Sequence, residues 1–272
     1  MLSPSNKPVH ALWIGETLSP VELLTLKSFL HHGHEFHLWI YSPLSTPVPG
    51  GVIIEDAGKI ISPDKIFKRN FSDPACGGVG KGSYGSPFAD IFRFKLLYEK
   101  GGWWTDMDVT CLKPFEFSTP LVFRPHPNLP VVGTVLKAPA KADFLLDAYE
   151  KTRQQCNEDT RDWLLPNRIL NESVRNRGLE KFIVNNISNH DIWRETRRHI
   201  RGNGKIPADY YFIHWQNEEW RVRGIGKERF KQNSTFGRLL ELYGVPFRRK
   251  SLADRMRLFA PGNFLTGTTD LY

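Results

Sequence analysis

Two aspartates one residue apart, Asp106 and Asp108, are the side chains whose type and spacing speak most directly of chemistry. Neighbouring carboxylates repel, and each is hard to keep ionised without a cation close by. A hard divalent metal removes that repulsion, and a metal that also grips a diphosphate turns the pair into a substrate site. Along a strand, residues two apart face the same way, so a strand ending in this triplet would put both carboxylates on one face at the carboxyl edge of a sheet. That edge is where α/β folds bind ligands. An isolated pair of this kind is also common in solvated turns, and the elements around it decide its weight.

Those elements are legible. Phe88, Ile91, Phe92, Phe94, Leu97 and Tyr98 recur at helical spacing, with Lys95, Glu99 and Lys100 as the charged complement. Gly101 and Gly102 stop the helix, because glycine takes the left-handed conformation that commonly closes one. Trp103, Trp104 and Thr105 suit a short strand that delivers Asp106-Met107-Asp108. Upstream, residues 9–14 form an apolar strand, and Ser19-Pro20 places a cap before a proline at the first helical position. Val21, Leu23, Leu24, Leu26, Phe29 and Leu30 continue as an amphipathic helix, and residues 37–41 make a second strand. Such a β-α-β unit implies parallel strands joined by a crossover. Residues 52–54 and 131–136 read as further strands, 142–151 as a helix, and 163–184 as a helical stretch broken at Pro166.

Other groupings carry less. His31, His32, His34 and His37 cluster around Gly33 and suit an exposed loop, since no cysteine or carboxylate pattern accompanies them as a zinc site requires. The glycine-rich residues 74–87 lack the spacing of a phosphate-cradling G-x-x-x-x-G-K-[ST] loop and read as a mobile cover over the site, with Lys81 in it. Asp90 and Arg93, three apart on a helix, form a local ion pair. His214 on an apolar strand is by itself an ordinary core histidine.

With 272 residues, 40% of them hydrophobic and 24% charged, the chain can bury a full core and is not a disordered protein. No apolar run approaches the roughly 20 residues that span a bilayer, and the amino terminus shows no secretory pattern. Three widely spaced cysteines imply neither a disulfide framework nor a zinc site, and a reducing cytoplasm is expected. The net charge of +8 is concentrated: residues 221–257 hold eleven Lys and Arg against Glu228, Glu241 and Asp254. A basic stretch of this kind suits a solvated face, a phosphorylated substrate, an anionic membrane surface or nucleic acid.

Residues 88–108 resemble the sugar-binding region of DXD glycosyltransferases, notably family 32, with relatives among the α1,4-galactosyltransferases and the large clostridial glucosylating toxins. The matching residues are Ala89, Asp90, Ile91-Phe92, Arg93, Gly101-Gly102, Trp104, Asp106 and Asp108. The opening strand resembles the family's apolar strand ending in Trp-Ile-Gly, here Trp13, Ile14 and Gly15. Residues 210–220, with His214, Asn217 and Trp220, resemble the family's late motif that closes over the diphosphate and adds a metal contact.

The resemblance implies a GT-A-like α/β fold, a mixed and mostly parallel sheet flanked by helices, with residues 1–220 as catalytic domain and 221–272 as a basic helical extension. It implies Mn²⁺ or Mg²⁺ held directly by Asp108, by Asp106 either directly or through water, with the ribose as the alternative partner of Asp106, and by His214. It also implies a nucleotide diphosphate sugar, a uridine donor foremost, bound by Trp13, Ile14, Asp90, Arg93, Trp104, Asn217 and Trp220. Retention of configuration is implied too. Asn167 is suspected on the acceptor side, and no base is assigned.

A glycan or lipid-linked glycan acceptor in surface or capsular polysaccharide assembly is the expected use, by a cytoplasmic protein peripheral at the inner membrane face. Arg255 and Arg257, within residues 252–259, would form a basic amphipathic contact with anionic lipid. Modification of a protein by an effector-type enzyme is the alternative within the same chemistry. A nucleic-acid-binding protein using the basic stretch is the alternative outside it, and no nucleic-acid partner is expected on the preferred reading.

Overall fold

The computed structural model describes residues 2–71, 81–84 and 87–247. Most of the glycine-rich segment, Cys76, and the expected basic contact at residues 252–259 lie outside the described residues.

The first strand, β1 (Pro8–Trp13), is followed by helix α1 (Pro20–His31), whose start is held by a full capping box. The Glu22 side chain accepts from the Ser19 backbone N–H at 2.7 Å, and Ser19 Oγ accepts from Val21 N–H at 3.2 Å. Strand β2 (Glu35–Ile40) returns parallel to β1, with His10 opposite His37, and β3 (Ile53–Asp56) adds parallel to β2. Helix α2 (Phe88–Lys100) then feeds β4 (Gly102–Thr105) on the other side of β1. Gly101 ends α2 at φ 69°, and an added Cβ there would lie 2.5 Å from the Ala140 backbone nitrogen.

After β4 the chain leaves the main sheet. Strand β5 (Val109–Cys111) belongs to a second, two-stranded sheet, while β6 (Val122–His126) and β7 (Leu129–Ala138) return as an antiparallel hairpin beside β4. Helices α3 (Asp143–Gln155), α4 (Leu165–Arg175) and α5 (Trp193–Arg201) precede β8 (Phe212–His214), which pairs antiparallel with β5. Helices α6 (Asn217–Val222) and α7 (Thr235–Leu242) complete the described chain.

The main sheet runs β3-β2-β1-β4-β7-β6, parallel across its first four strands and antiparallel across the last two, the mixed and mostly parallel sheet expected from the sequence. Adjacent tryptophans in β4 point to opposite faces, so Trp103 joins the core beneath α1 while Trp104 joins the core with α2, α3 and α4. The described part of residues 221–247 is not loose. Phe236 and Leu240 of α7 sit in the first core with Trp215 and Trp220, and Tyr243 Oη donates to the Cys111 carbonyl at 2.9 Å.

Four local expectations are corrected. The two aspartates do not lie on a continuous strand, because β4 ends at Thr105 and Asp106–Asp108 form the turn into β5. Helix α1 is enclosed rather than amphipathic, with Glu22, Thr25 and Ser28 buried beside its leucines where it meets β2, β5 and α7. Pro166 lies in the first turn of α4, where a missing N–H costs nothing, and does not break a helix. His34 is not in an exposed loop. Its Nδ1–H donates to the Asn6 carbonyl at 3.0 Å and its Nε2 accepts from Phe115 N–H at 3.1 Å, so it is a satisfied core residue.

Candidate active site

The turn between the sheets forms one wall of a cavity of about 670 Å³, within the range of small-ligand sites. Asp106 is fixed at its backbone, whose N–H donates to the Thr134 carbonyl of β7 at 2.9 Å. Its Oδ1 accepts from Trp104 Nε1 at 2.8 Å and from Arg93 Nη2 at 2.6 Å, which leaves Oδ2 as the uncommitted oxygen. Arg93 also pairs with Asp90 one turn back on α2 and lies over the Trp104 ring, 5.0 Å from its centroid. The local pair read from sequence is therefore a bridge from α2 to the D-x-D turn. Space for it comes from Gly133, where a Cβ would meet Arg93 Nη1 at 2.1 Å.

Asp108 is placed by the small sheet. The register of β5 and β8 sets Val109 opposite His214, and the Trp215 N–H donates to the Asp108 carbonyl at 2.8 Å. This pairing, 105 residues long-range, brings His214 Nε2 to 3.3 Å from Asp108 Oδ2, while Asn217 N–H at the start of α6 donates to the same oxygen at 2.6 Å. One ligand atom each from Asp106, Asp108 and His214 fall within 4.8 Å of one another, the metal-capable group found among the described residues. His214 Nδ1 meets Asp191 at 2.6 Å, and Asp191 is in turn held by Arg124.

The electrostatics suit a cation. Burial raises the Asp106 carboxyl above its ordinary value in spite of Arg93, and the charge of Asp108 adds to the rise. Burial opposes ionisation of Asp108 as well, yet His214 and the Asn217 N–H hold it below the usual range. Burial alone would lower His214, but Asp108 and Asp191 push it up to about 10, so in the cation's absence the imidazolium is the counter-ion. With a neutral imidazole, the four connected carboxylates Asp90, Asp106, Asp108 and Asp191 face two guanidiniums, Arg93 and Arg124, an excess of two negative charges. That is the charge of a divalent ion, and a carboxylate-imidazole donor set fits one.

The other expected residues also reach the cavity. Trp13, Ile14, Asp90, Arg93, Trp104, Asn217 and Trp220 all line it. Their roles differ, however. Trp104 spends its N–H on Asp106, and Trp220 is fully buried with its N–H on the Trp215 carbonyl, so both act as walls and props. Trp13 Nε1 and Asn217 Oδ1 are buried polar atoms with no partner among the described residues. Asn167 Oδ1 accepts from Gly133 N–H at 3.0 Å, which anchors α4 to β7 beneath the Arg93 bridge.

Sequence reading missed Glu22 and Lys227. Glu22, nearly inaccessible in α1, accepts from Asn217 Nδ2 at 2.8 Å and pairs with Lys227, whose ammonium lies 5.8 Å from the Trp13 ring centroid. The Ser19-x-x-Glu22 spacing signals the cap but not this second duty. Lys227, from the basic stretch, lines the cavity with Arg221.

With this geometry in view, residues 52–128 match the family model described as "Glycosyltransferase sugar-binding region containing DXD motif". Over that span the chain is similar to a DXD glycosyltransferase sugar-binding region. The matched span includes Asp90, Arg93, Asp106 and Asp108 and stops before His214. Among solved structures, "PaToxG Glycosyltransferase" aligns at 12% identity over 63% of this chain and 68% of that chain, with a TM-score of 0.43. A transferase bearing two cysteine-to-serine substitutions aligns at 10% identity over 65% and 86%, with a TM-score of 0.41. No curated protein matches the sequence significantly. Among the described residues no helix is long and apolar enough to cross a membrane.

Proposed function

We propose that this protein is a glycosyltransferase that moves a sugar from a nucleotide diphosphate sugar, with uridine as the base, to a glycan acceptor and retains the anomeric configuration. The observation that carries the reading is the β5–β8 pairing, which sets His214 beside Asp106 and Asp108 on the wall of a cavity large enough for such a donor. Asp108, Asp106 through its uncommitted Oδ2, and His214 through Nε2 would hold Mn²⁺ or Mg²⁺, with Asp106 aimed by Trp104 and Arg93. When bound, the cation neutralises charge that builds on the departing diphosphate. Lys227 stands in the same cavity as a second positive group for the phosphates, and Trp13 offers its ring to the base. Asp90 and Arg93 orient the sugar's hydroxyls, and a paired guanidinium can still donate to one. A front-face transfer, in which the departing phosphate takes the acceptor's proton, asks for no protein base.

The reading extends to a lipid-linked glycan acceptor in surface or capsular polysaccharide assembly, at the inner face of the cytoplasmic membrane. The basic excess of residues 221–257 supports it. The test is a screen of nucleotide sugars for release of nucleoside diphosphate with and without Mn²⁺. Release from one donor is expected, abolished in Asp108→Ala with the melting temperature preserved. Full activity in that variant, or of the wild type in excess chelator, would overturn the site.

A further inference from the structure

His214 is gripped from behind more completely than a core histidine needs. Its backbone N–H donates to Asn189 Oδ1 at 2.8 Å, and its carbonyl accepts from Asn189 Nδ2 at 3.0 Å. Its ring Nδ1 lies 2.6 Å from Asp191 Oδ1. Since a carboxylate can only accept there, Nδ1 carries the hydrogen and the Nε2 edge is the one turned to Asp108, 3.3 Å away. Asp191 does not choose its own orientation. Arg124, which is 1% exposed and rooted in β6, donates Nη1 to Oδ2 and Nη2 to Oδ1, both at 2.7 Å. The guanidinium is itself fixed by Nε to Ser188 Oγ at 2.8 Å and Nη2 to the Asn189 carbonyl at 2.9 Å.

We propose that Asp191, braced by Arg124, is a positioning residue that holds His214 in the tautomer and rotamer that present Nε2 to the cation. The proposal rests on the metal reading above and assigns Asp191 a task distinct from ligation. Both oxygens of Asp191 are engaged by Arg124, and Oδ1 by His214 as well, so neither is uncommitted for the ion. An imidazole that lacks a fixed acceptor at Nδ1 divides its time between two tautomers and several ring angles, of which one set faces the metal. A carboxylate behind a ligating histidine removes those alternatives and raises the basicity of the ligand, and its loss typically weakens metal binding by about 10–100-fold. The bidentate fork matters because Asp191 lies in a region already rich in carboxylates. Arg124 supplies the balancing charge there and fixes which way the Asp191 carboxylate faces.

The test is calorimetric titration of Mn²⁺ into the full chain, with and without uridine diphosphate, for the wild type, Asp191→Asn, His214→Ala and the double variant Arg124→Met/Asp191→Leu. The double variant removes both charges together, so no buried ion is left unpaired should Asp191→Asn fold poorly. Both Asp191 variants are expected to bind Mn²⁺ about 10–100-fold more weakly than the wild type, with unchanged circular dichroism. A purely architectural Asp191 would lower the melting temperature and leave the Mn²⁺ Kd of the folded protein within twofold of wild type, and that result overturns the proposal. If the wild type binds Mn²⁺ and His214→Ala binds it equally well, the positioning role falls while the aspartate site survives. If the wild type binds no Mn²⁺ in either condition, the metal reading fails first and the role of Asp191 with it.

Discussion

Replacing Gly133 by alanine isolates the packing that aims Asp106. The residue lies inside β7 and has no positive φ, so its backbone conformation accepts alanine without strain. By itself such a change stabilises a protein by about 0.4–1 kcal/mol, because it narrows the unfolded ensemble. Here the new Cβ would sit 2.1 Å from Arg93 Nη1, 3.0 Å from Cζ and 3.1 Å from Cδ, where ordinary contact begins at 3.4 Å. The guanidinium must therefore retreat by roughly an ångström, and it cannot do so while keeping both Asp90 and Asp106. Breaking a buried ion pair costs about 3–5 kcal/mol, and partial relaxation of this one should leave a net loss of about 1–3 kcal/mol. At this size that is a drop of roughly 3–10 °C in melting temperature. An ångström of misplacement at a reacting centre costs on the order of 100-fold in turnover, so kcat/KM for donor cleavage should fall about that far. The decisive assay is a double-mutant cycle with Arg93→Ala. In that background the clash is gone, and Gly133→Ala should be neutral or stabilising. Equal effects of Gly133→Ala in the two backgrounds, or a Gly133→Ala protein as active as wild type, would refute the reasoning.

Two further outcomes are expected. Lys227→Met should weaken uridine diphosphate binding about 10-fold, the scale of one hydrogen bond to a charged group, and leave uridine binding unchanged; equal losses for both ligands in a titration would show that Lys227 serves the base pocket instead. Burial lowers His34 from 6.5 to about 4, against the opposing hydrogen bonds to the Asn6 and Lys7 backbone, so the folded protein keeps it neutral while the unfolded chain protonates it near 6.5. Its contribution is then full above pH 6.5 and is lost as pH falls toward 4, up to about 3 kcal/mol in all. Urea unfolding between pH 7.5 and 4.5 should show a shallower decline for His34→Gln than for wild type, and parallel declines would rule the assignment out.

The sequence alone determined the locally encoded parts. The β1-α1-β2 unit, the Ser19 cap, helix α2 with its Gly101 stop, and the short strand leading to Asp106 and Asp108 all follow from periodicity and backbone preference within windows of about twenty residues. The Asp90-Arg93 spacing and the aromatic-rich stretch around His214 were visible for the same reason. Only the tertiary structure decided what those pieces meet. The turn at residues 106–108 converges its carboxylates because β5 leaves the main sheet to pair with β8, and a strand register between residues 109 and 214 has no local signature. Glu22 reads as a helix cap until Asn217 and Lys227 arrive on it, and Gly133 reads as an ordinary strand residue until Arg93 fills the space of its missing Cβ. Asp191 and Arg124 are unremarkable charges in sequence, 67 residues apart, and become one ion pair behind His214. Short-range patterning reports which groups are present and on which element, whereas charge pairing at a site depends on long-range packing, which places the partners together only after the chain has folded.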